Sequence, residues 1–242
     1  MSEQAYAARQ LHTRELTTRP RRPAGGSPLS ALALAGACIL TLATIWLIAE
    51  LVPAAHMKDA VALYEFTTLS RPRLDSIANF LLRLLNPALF ILWGVALVAF
   101  ALAREQRRVA VAVVAVLGLS PLTAEILKPL LAHAHDKVGY VHIGAASWPS
   151  GHATAAAALA MSAVLVTPPA LRVMVATVGT IFVLAVSGSL LMLAWHMPSD
   201  VLGGWFVAAL WMSLAVAALR LAERLRPSGG THVQGPEPSA AL

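Results

Sequence analysis

The sequence predicts an all-α polytopic membrane protein: a six-transmembrane-helix bundle with an amphipathic helix in its first outer loop. Three observations predict it. Hydrophobic residues make up 58% of the 242 positions, and mean hydropathy is +0.70. Charged residues make up only 12%, where a soluble domain carries about 25%. Apolar runs of near-spanning length recur along the chain, separated by short polar connections.

A membrane-spanning helix needs about 20 mostly apolar residues. Six segments meet or approach that length: 30–52, 87–103, 109–127, 153–171, 173–194 and 201–221. The first is too long, with too extended a flank, for a cleaved signal peptide, and reads as a retained span. The second is short and draws on what precedes it. In the outer loop 53–86, Leu74, Ile77, Ala78, Leu81, Leu82 and Leu85 recur at helical spacing. That spacing predicts a helix lying on the membrane and running into the second span at Asn86-Pro87. Such a helix either guides a lipid or simply caps the bundle. Residues 1–28 and 223–242 are polar and rich in Arg, Pro, Gly and Ser, and read as disordered tails around a membrane domain at 29–222.

Basic residues set the orientation. With the N-terminus in the cytoplasm, the inner segments hold Arg9, Arg14, Arg19, Arg21, Arg22, Arg104, Arg107, Arg108, Arg172, Arg220, Arg224 and Arg226. The outer segments hold only Lys58, Arg71, Arg73, Arg83, Lys128 and Lys137. Both termini are therefore expected inside. The net charge of +6 follows this topology, so nucleic acid is not an expected partner. Cys38 is the only cysteine and sits in an apolar run, which excludes an internal disulfide and a cysteine-based zinc site.

The chemistry-bearing residues gather at the outer ends of the spans, where ionisable groups mark function more often than packing. Lys128 ends the third span, one turn after Glu125; it either snorkels or holds an anion as a point charge. Pro149-Ser150-Gly151-His152 opens the fourth span. Ser150 is a candidate N-cap, Gly151 allows close backbone approach, and a helix start with free N–H groups attracts anions. His152 would stand beside such an anion. His196 and Asp200 lie in the turn before the last span. At this spacing the carboxylate can fix one imidazole nitrogen and leave the other free to attack or to take a proton; the alternative makes Ser199 or Asp200 a plain N-cap. In the second outer loop, between the third and fourth spans, His133, His135, Asp136 and His142 offer either a metal set or more groups for the anion.

Together these residues resemble the type 2 phosphatidic acid phosphatase family of integral membrane lipid phosphatases. That family carries a lysine followed after six residues by Arg-Pro, then Pro-Ser-Gly-His, then Ser-Arg followed after five residues by His and after three more by Asp. Here Lys128 opens the first motif, Pro149 to His152 match the second completely, and Ser189, His196 and Asp200 match the third at the same spacing. Two arginines of the pattern are absent: His135-Asp136 stands in place of Arg-Pro, and Leu190 in place of the third-motif arginine. A charge-assisted hydrogen bond contributes about 1.5–3 kcal/mol, so losing both weakens phosphate binding by about 10² to 10⁴-fold. Protonated His135, or Lys137 or Arg73 in space, would compensate in part. If His135 does so, activity follows a narrow bell near the imidazole range.

The resemblance implies a six-helix bundle that hydrolyses a lipid phosphate or pyrophosphate, isoprenoid or glycerolipid, at the extracytoplasmic face. Lys128, Ser150, Gly151 and His135 would hold the phosphate, with a weak contribution from Ser189. His196, oriented by Asp200, would be the nucleophile, and His152 the acid and base. No metal or other cofactor is implied, because fixed donors carry the electrostatics. Membrane lipids and the lipid phosphate are the expected partners, a homodimer is left open, and a bacterial plasma membrane is the expected location. The missing arginines favour a rival, a weakened relative that binds a lipid head group or assists envelope assembly. A metal-dependent hydrolase is a third reading. A transporter would place its polar groups nearer mid-membrane.

Overall fold

A computed structural model describes residues 26–132 and 143–225. Among these residues every regular element is helical. The helices are α1 (Pro28–Leu51), α2 (Pro53–Thr67), α3 (Pro72–Arg83), α4 (Pro87–Ala103), α5 (Arg107–Leu130), α6 (Gly151–Val166), α7 (Arg172–Met192) and α8 (Pro198–Arg224). Proline opens α1 to α4 and α8, where its missing N–H costs nothing and its fixed φ suits the first turn.

Among the described residues, four helices are long and apolar enough to cross a membrane: α1, α5, α7 with the short 3-10 turn before it, and α8. The pair α3 and α4 qualifies only together, bent by 56° at Leu84–Asn86, which gives five. Helix α6, at 16 residues, is apolar but shorter. It extends about 24 Å at 1.5 Å per residue. The expected amphipathic segment divides differently from the sequence reading. Residues 74–85 fall largely within α3, with Ala78, Leu82 and Leu85 buried while Leu74 and Ile77 stay exposed. Helix α2 precedes it, a second outer helix that the apolar pattern did not announce. The polar tails called at 1–28 and 223–242 lie outside the described residues except at their inner edges, where Ser27 caps α1 and α8 continues to Arg224.

Helix α6 sits at the centre, against α4, α5, α7 and α8. Its alanines Ala153, Ala155, Ala156, Ala157 and Ala158 are buried. Small side chains let neighbouring backbones approach where lipid gives no hydrophobic drive to pair. Helix α1 covers the far side of α8, with Ala31, Ala35, Cys38 and Leu42 buried at helical spacing. The two run antiparallel, since Arg220 near the end of α8 donates to the Ser27 carbonyl and the Ser30 hydroxyl at the start of α1. Helices α2 and α3 pack on α7, so the segment between α1 and α4 is tied to the bundle. This packing brings the ends of α5 and α7 and the starts of α6 and α8 together.

Candidate active site

Lys128 lies in the last turn of α5, Ser150 to His152 at the start of α6, and Trp195 to Asp200 where α7 gives way to α8. Of these, Lys128, Gly151, His152 and His196 line one cavity of about 330 Å³ together with Glu125, while Ser150 and Asp200 are fully buried behind it and do not line it. Its apolar wall is Leu85, Pro87, Phe90, Pro121 and Ala155.

The convergence depends on how closely α6 and α8 meet. The Ser150 N–H donates to the Asp200 carbonyl at 2.9 Å, which joins the two helix starts. Ser150 also caps α6, its hydroxyl accepting from the Ala153 N–H at 3.4 Å. Gly204 permits the approach. A Cβ there would stand 2.6 Å from the Ser150 carbonyl oxygen and 2.9 Å from the Thr154 nitrogen. A Cβ on Gly203 would stand 2.8 Å from the Trp148 indole. These two glycines are as much a part of the site's construction as the histidines, yet the sequence reading passed over them.

The turn that delivers His196 is a helix end. Trp195 N–H donates to the Leu190 carbonyl at 2.9 Å and Ala194 N–H to the Leu191 carbonyl at 3.0 Å, the paired bonds of a Schellman motif. Ala194 takes the left-handed position at φ 54° that glycine usually fills. Trp195 then meets the His152 imidazole edge-on, with ring centroids 5.8 Å apart and planes at 70°.

Asp200 is fully buried. Its Oδ2 accepts from His196 Nδ1 at 3.2 Å and from the Met197 N–H at 3.0 Å. A carboxylate only accepts, so Nδ1 carries the proton and Nε2 keeps its lone pair. The Asp200 Oδ1 has no hydrogen-bond partner among the described residues.

A second carboxylate holds the same turn. Asp59, on α2, accepts from the Ser199 backbone N–H at 3.2 Å and from the Ser199 hydroxyl at 2.5 Å. The start of α8 thus carries two carboxylates, the sign its dipole favours. Burial pushes the Asp59 carboxyl above the ordinary carboxylate range, and the Ser199 hydrogen bonds oppose that shift. The contact joins residues 140 apart, so no local pattern could reveal it.

Other expected residues lie elsewhere. The Ser189 hydroxyl is turned back onto the Ala185 carbonyl at 2.8 Å. Leu190 is fully buried in the apolar core, and Arg73 is exposed on α3; none of the three lines the cavity. His135, with His133, Asp136, Lys137 and His142, lies outside the described residues. Among the described residues, no group of three or more His, Cys, Asp or Glu could hold a metal.

Residues 109–224 match the sequence profile of the PAP2 superfamily; Lys128, Ser150, His152, His196 and Asp200 all fall within that stretch. The fold is similar to the crystal structure of the first transmembrane PAP2 type phosphatidylglycerolphosphate phosphatase from Bacillus subtilis. The TM-score is 0.68 at 21% sequence identity, over 79% of this chain and 98% of that one. At that identity the likeness is one of fold. No curated protein sequence matches the chain.

Proposed function

We propose that the chain, whose residues 109–224 match the PAP2 superfamily, is an integral membrane phosphatase of lipid phosphates or pyrophosphates, working at the extracytoplasmic face. One observation carries the reading. A single cavity gathers a lysine, a helix N-terminus, a histidine oriented by a buried carboxylate and a second histidine. A binding site alone has no use for the nucleophile and acid pair.

The chemistry follows from the geometry. Lys128 and the backbone N–H groups at the start of α6 hold the phosphate oxygens. His196 Nε2 attacks phosphorus, the bond from phosphorus to the lipid oxygen breaks, and His152 gives that oxygen a proton. Asp200 stabilises the positive charge that develops on the His196 ring. Water then attacks the phosphohistidine, His152 takes the water's proton, and inorganic phosphate leaves with His196 restored.

The surroundings support a lipid as substrate. Leu85, Pro87 and Phe90 wall the cavity. A second cavity of about 450 Å³ between α4, α6 and α7 is lined by Leu84, Trp93, Leu97, Leu159, Val178 and Phe182. Leu84 and Leu85 adjoin in sequence, and Leu159 is one turn from Ala155, so the apolar walls of the two cavities are built on neighbouring residues of the same elements. In this reading α3 with α4 and the short α6 complete six spans, both termini are cytoplasmic, and the membrane is a bacterial plasma membrane. The burial of Leu190 favours the alternative, a weakened relative that holds a head group without turnover.

The test is phosphate release from a panel of lipid mono- and diphosphates by the protein purified in detergent. Release that both His196→Ala and His152→Ala abolish supports the phosphatase. No release from any panel member, with lipid still bound, moves the assignment to the binding protein.

A further inference from the structure

The cavity already contains an anion. Glu125 Oε1 sits 2.6 Å from Lys128 Nζ. The same oxygen would stand 3.1 Å from a Cβ built on Gly151, with Lys128 Nζ 3.5 Å from that point. The carboxylate therefore rests between the ammonium and the first turn of α6, the two donors that the phosphatase reading gives to phosphate. Gly151 admits it there by having no side chain. By position, the Gly151 and His152 N–H groups lack partners within their own helix, and any anion at that helix start is favoured. Lys128 is 22% exposed and Glu125 is 62% exposed. The lysine is thus enclosed, while the carboxylate has open space into which it can swing.

We propose that Glu125 is an internal competitor for the phosphate site, an affinity-determining residue that the substrate's phosphate must displace from Lys128 and the α6 N-terminus. The inference rests on the phosphatase reading of the cavity. Its charge arithmetic is simple. The described cavity holds one permanent cation, Lys128, and Glu125 neutralises it, while Asp200 adds a further negative charge behind His196. Among the described residues, a phosphate dianion arriving with Glu125 in place meets no net positive side-chain charge. Displacement restores the lysine, at the expense of the ion pair. Phosphate affinity is consequently set below what the same donors would give without Glu125, and product phosphate leaves more readily.

The experiment measures inorganic phosphate in two ways, on wild type, Glu125→Gln and Glu125→Ala in detergent at one pH and ionic strength. One is direct binding by calorimetric titration; the other is competitive inhibition of lipid phosphate turnover. Both substitutions are expected to tighten inorganic phosphate about tenfold, to lower KM by a similar factor and to leave kcat unraised. Adding Lys128→Ala to Glu125→Gln is expected to erase the gain, which ties it to the lysine. Unchanged or weaker phosphate affinity in both single variants overturns the proposal, and weaker affinity means that Glu125 positions Lys128 instead. If wild type turns over no lipid phosphate yet the variants bind inorganic phosphate more tightly, the phosphatase reading fails and the competitor stands. If wild type is active and the affinity does not change, the competitor alone fails.

Discussion

The two sides of the cavity are built differently. On the side of α6 and α8 the parts are buried and locked to one another: Ser150 to the Asp200 backbone, Asp200 to His196 and Met197, and Asp59 to Ser199. On the side of α5, Lys128 faces an exposed Glu125 across a single ion pair. In the proposed mechanism the first side positions the nucleophile, and the second holds the phosphate with a grip that Glu125 weakens. A site can thus keep its reacting groups in fixed geometry while its affinity for the charged ligand is low, because orientation comes from packing and affinity from net charge.

The largest break in that contrast comes from the locked side. His196→Ala is expected to lower phosphate release by about 10⁴-fold, since a group that bonds to phosphorus has no substitute. Asp200→Asn keeps the volume, but its amide can force the wrong imidazole tautomer; a loss of about 10³-fold in kcat, with KM little changed, is expected. Steady-state kinetics on folded, monodisperse protein checks both.

Gly204→Ala tests packing without touching the chemistry. Its Cβ would meet the Ser150 carbonyl, so α8 must withdraw from α6. A destabilisation of about 1–3 kcal/mol, read as a lower midpoint of thermal unfolding in detergent, should come with reduced kcat. An unchanged midpoint would show that the two helices do not meet as closely as described.

Asp59→Ala is expected to cost about tenfold in kcat, because the first turn of α8 loses one of its two carboxylates. The pH dependence has a definite sign. Because burial raises the Asp59 pKa, the folded chain holds that proton more readily than the unfolded chain does. The resulting stabilisation is present at low pH and is lost as pH rises through the raised value. Asp59→Asn should flatten this part of the stability profile while still accepting from Ser199. The smallest effect belongs to Ala194→Gly. It relieves a left-handed alanine but adds flexibility to the unfolded chain, and the net change should stay within about 1 kcal/mol.

Much of this was legible in the sequence because it is local. Apolar run length places the four long helices α1, α5, α7 and α8, and the candidate site residues Ser150, Gly151, His152, His196 and Asp200 stand at short spacings around helix starts. Proline at a helix start and the Ser150 cap are equally local signals. What stayed hidden depends on contacts between distant segments. Asp59 reaches Ser199 across the outer loop, and Gly203 and Gly204 matter only through what faces them. Helix α2 was missed because its apolar residues are scattered among polar ones, and it earns its place by packing on α7 and α8. Glu125 was visible as a neighbour of Lys128, but its position against Gly151 required the fold.

The most direct measurement is a rapid acid-free quench of the protein with radiolabelled lipid phosphate, followed by peptide mapping of the label. The phosphatase mechanism predicts an acid-labile, base-stable phosphoryl group on His196 in wild type and, with a lipid diphosphate whose leaving group needs no proton, also in His152→Ala, and none in His196→Ala. A label on another residue, or turnover in wild type with no label trapped on His196 in either background, would contradict it.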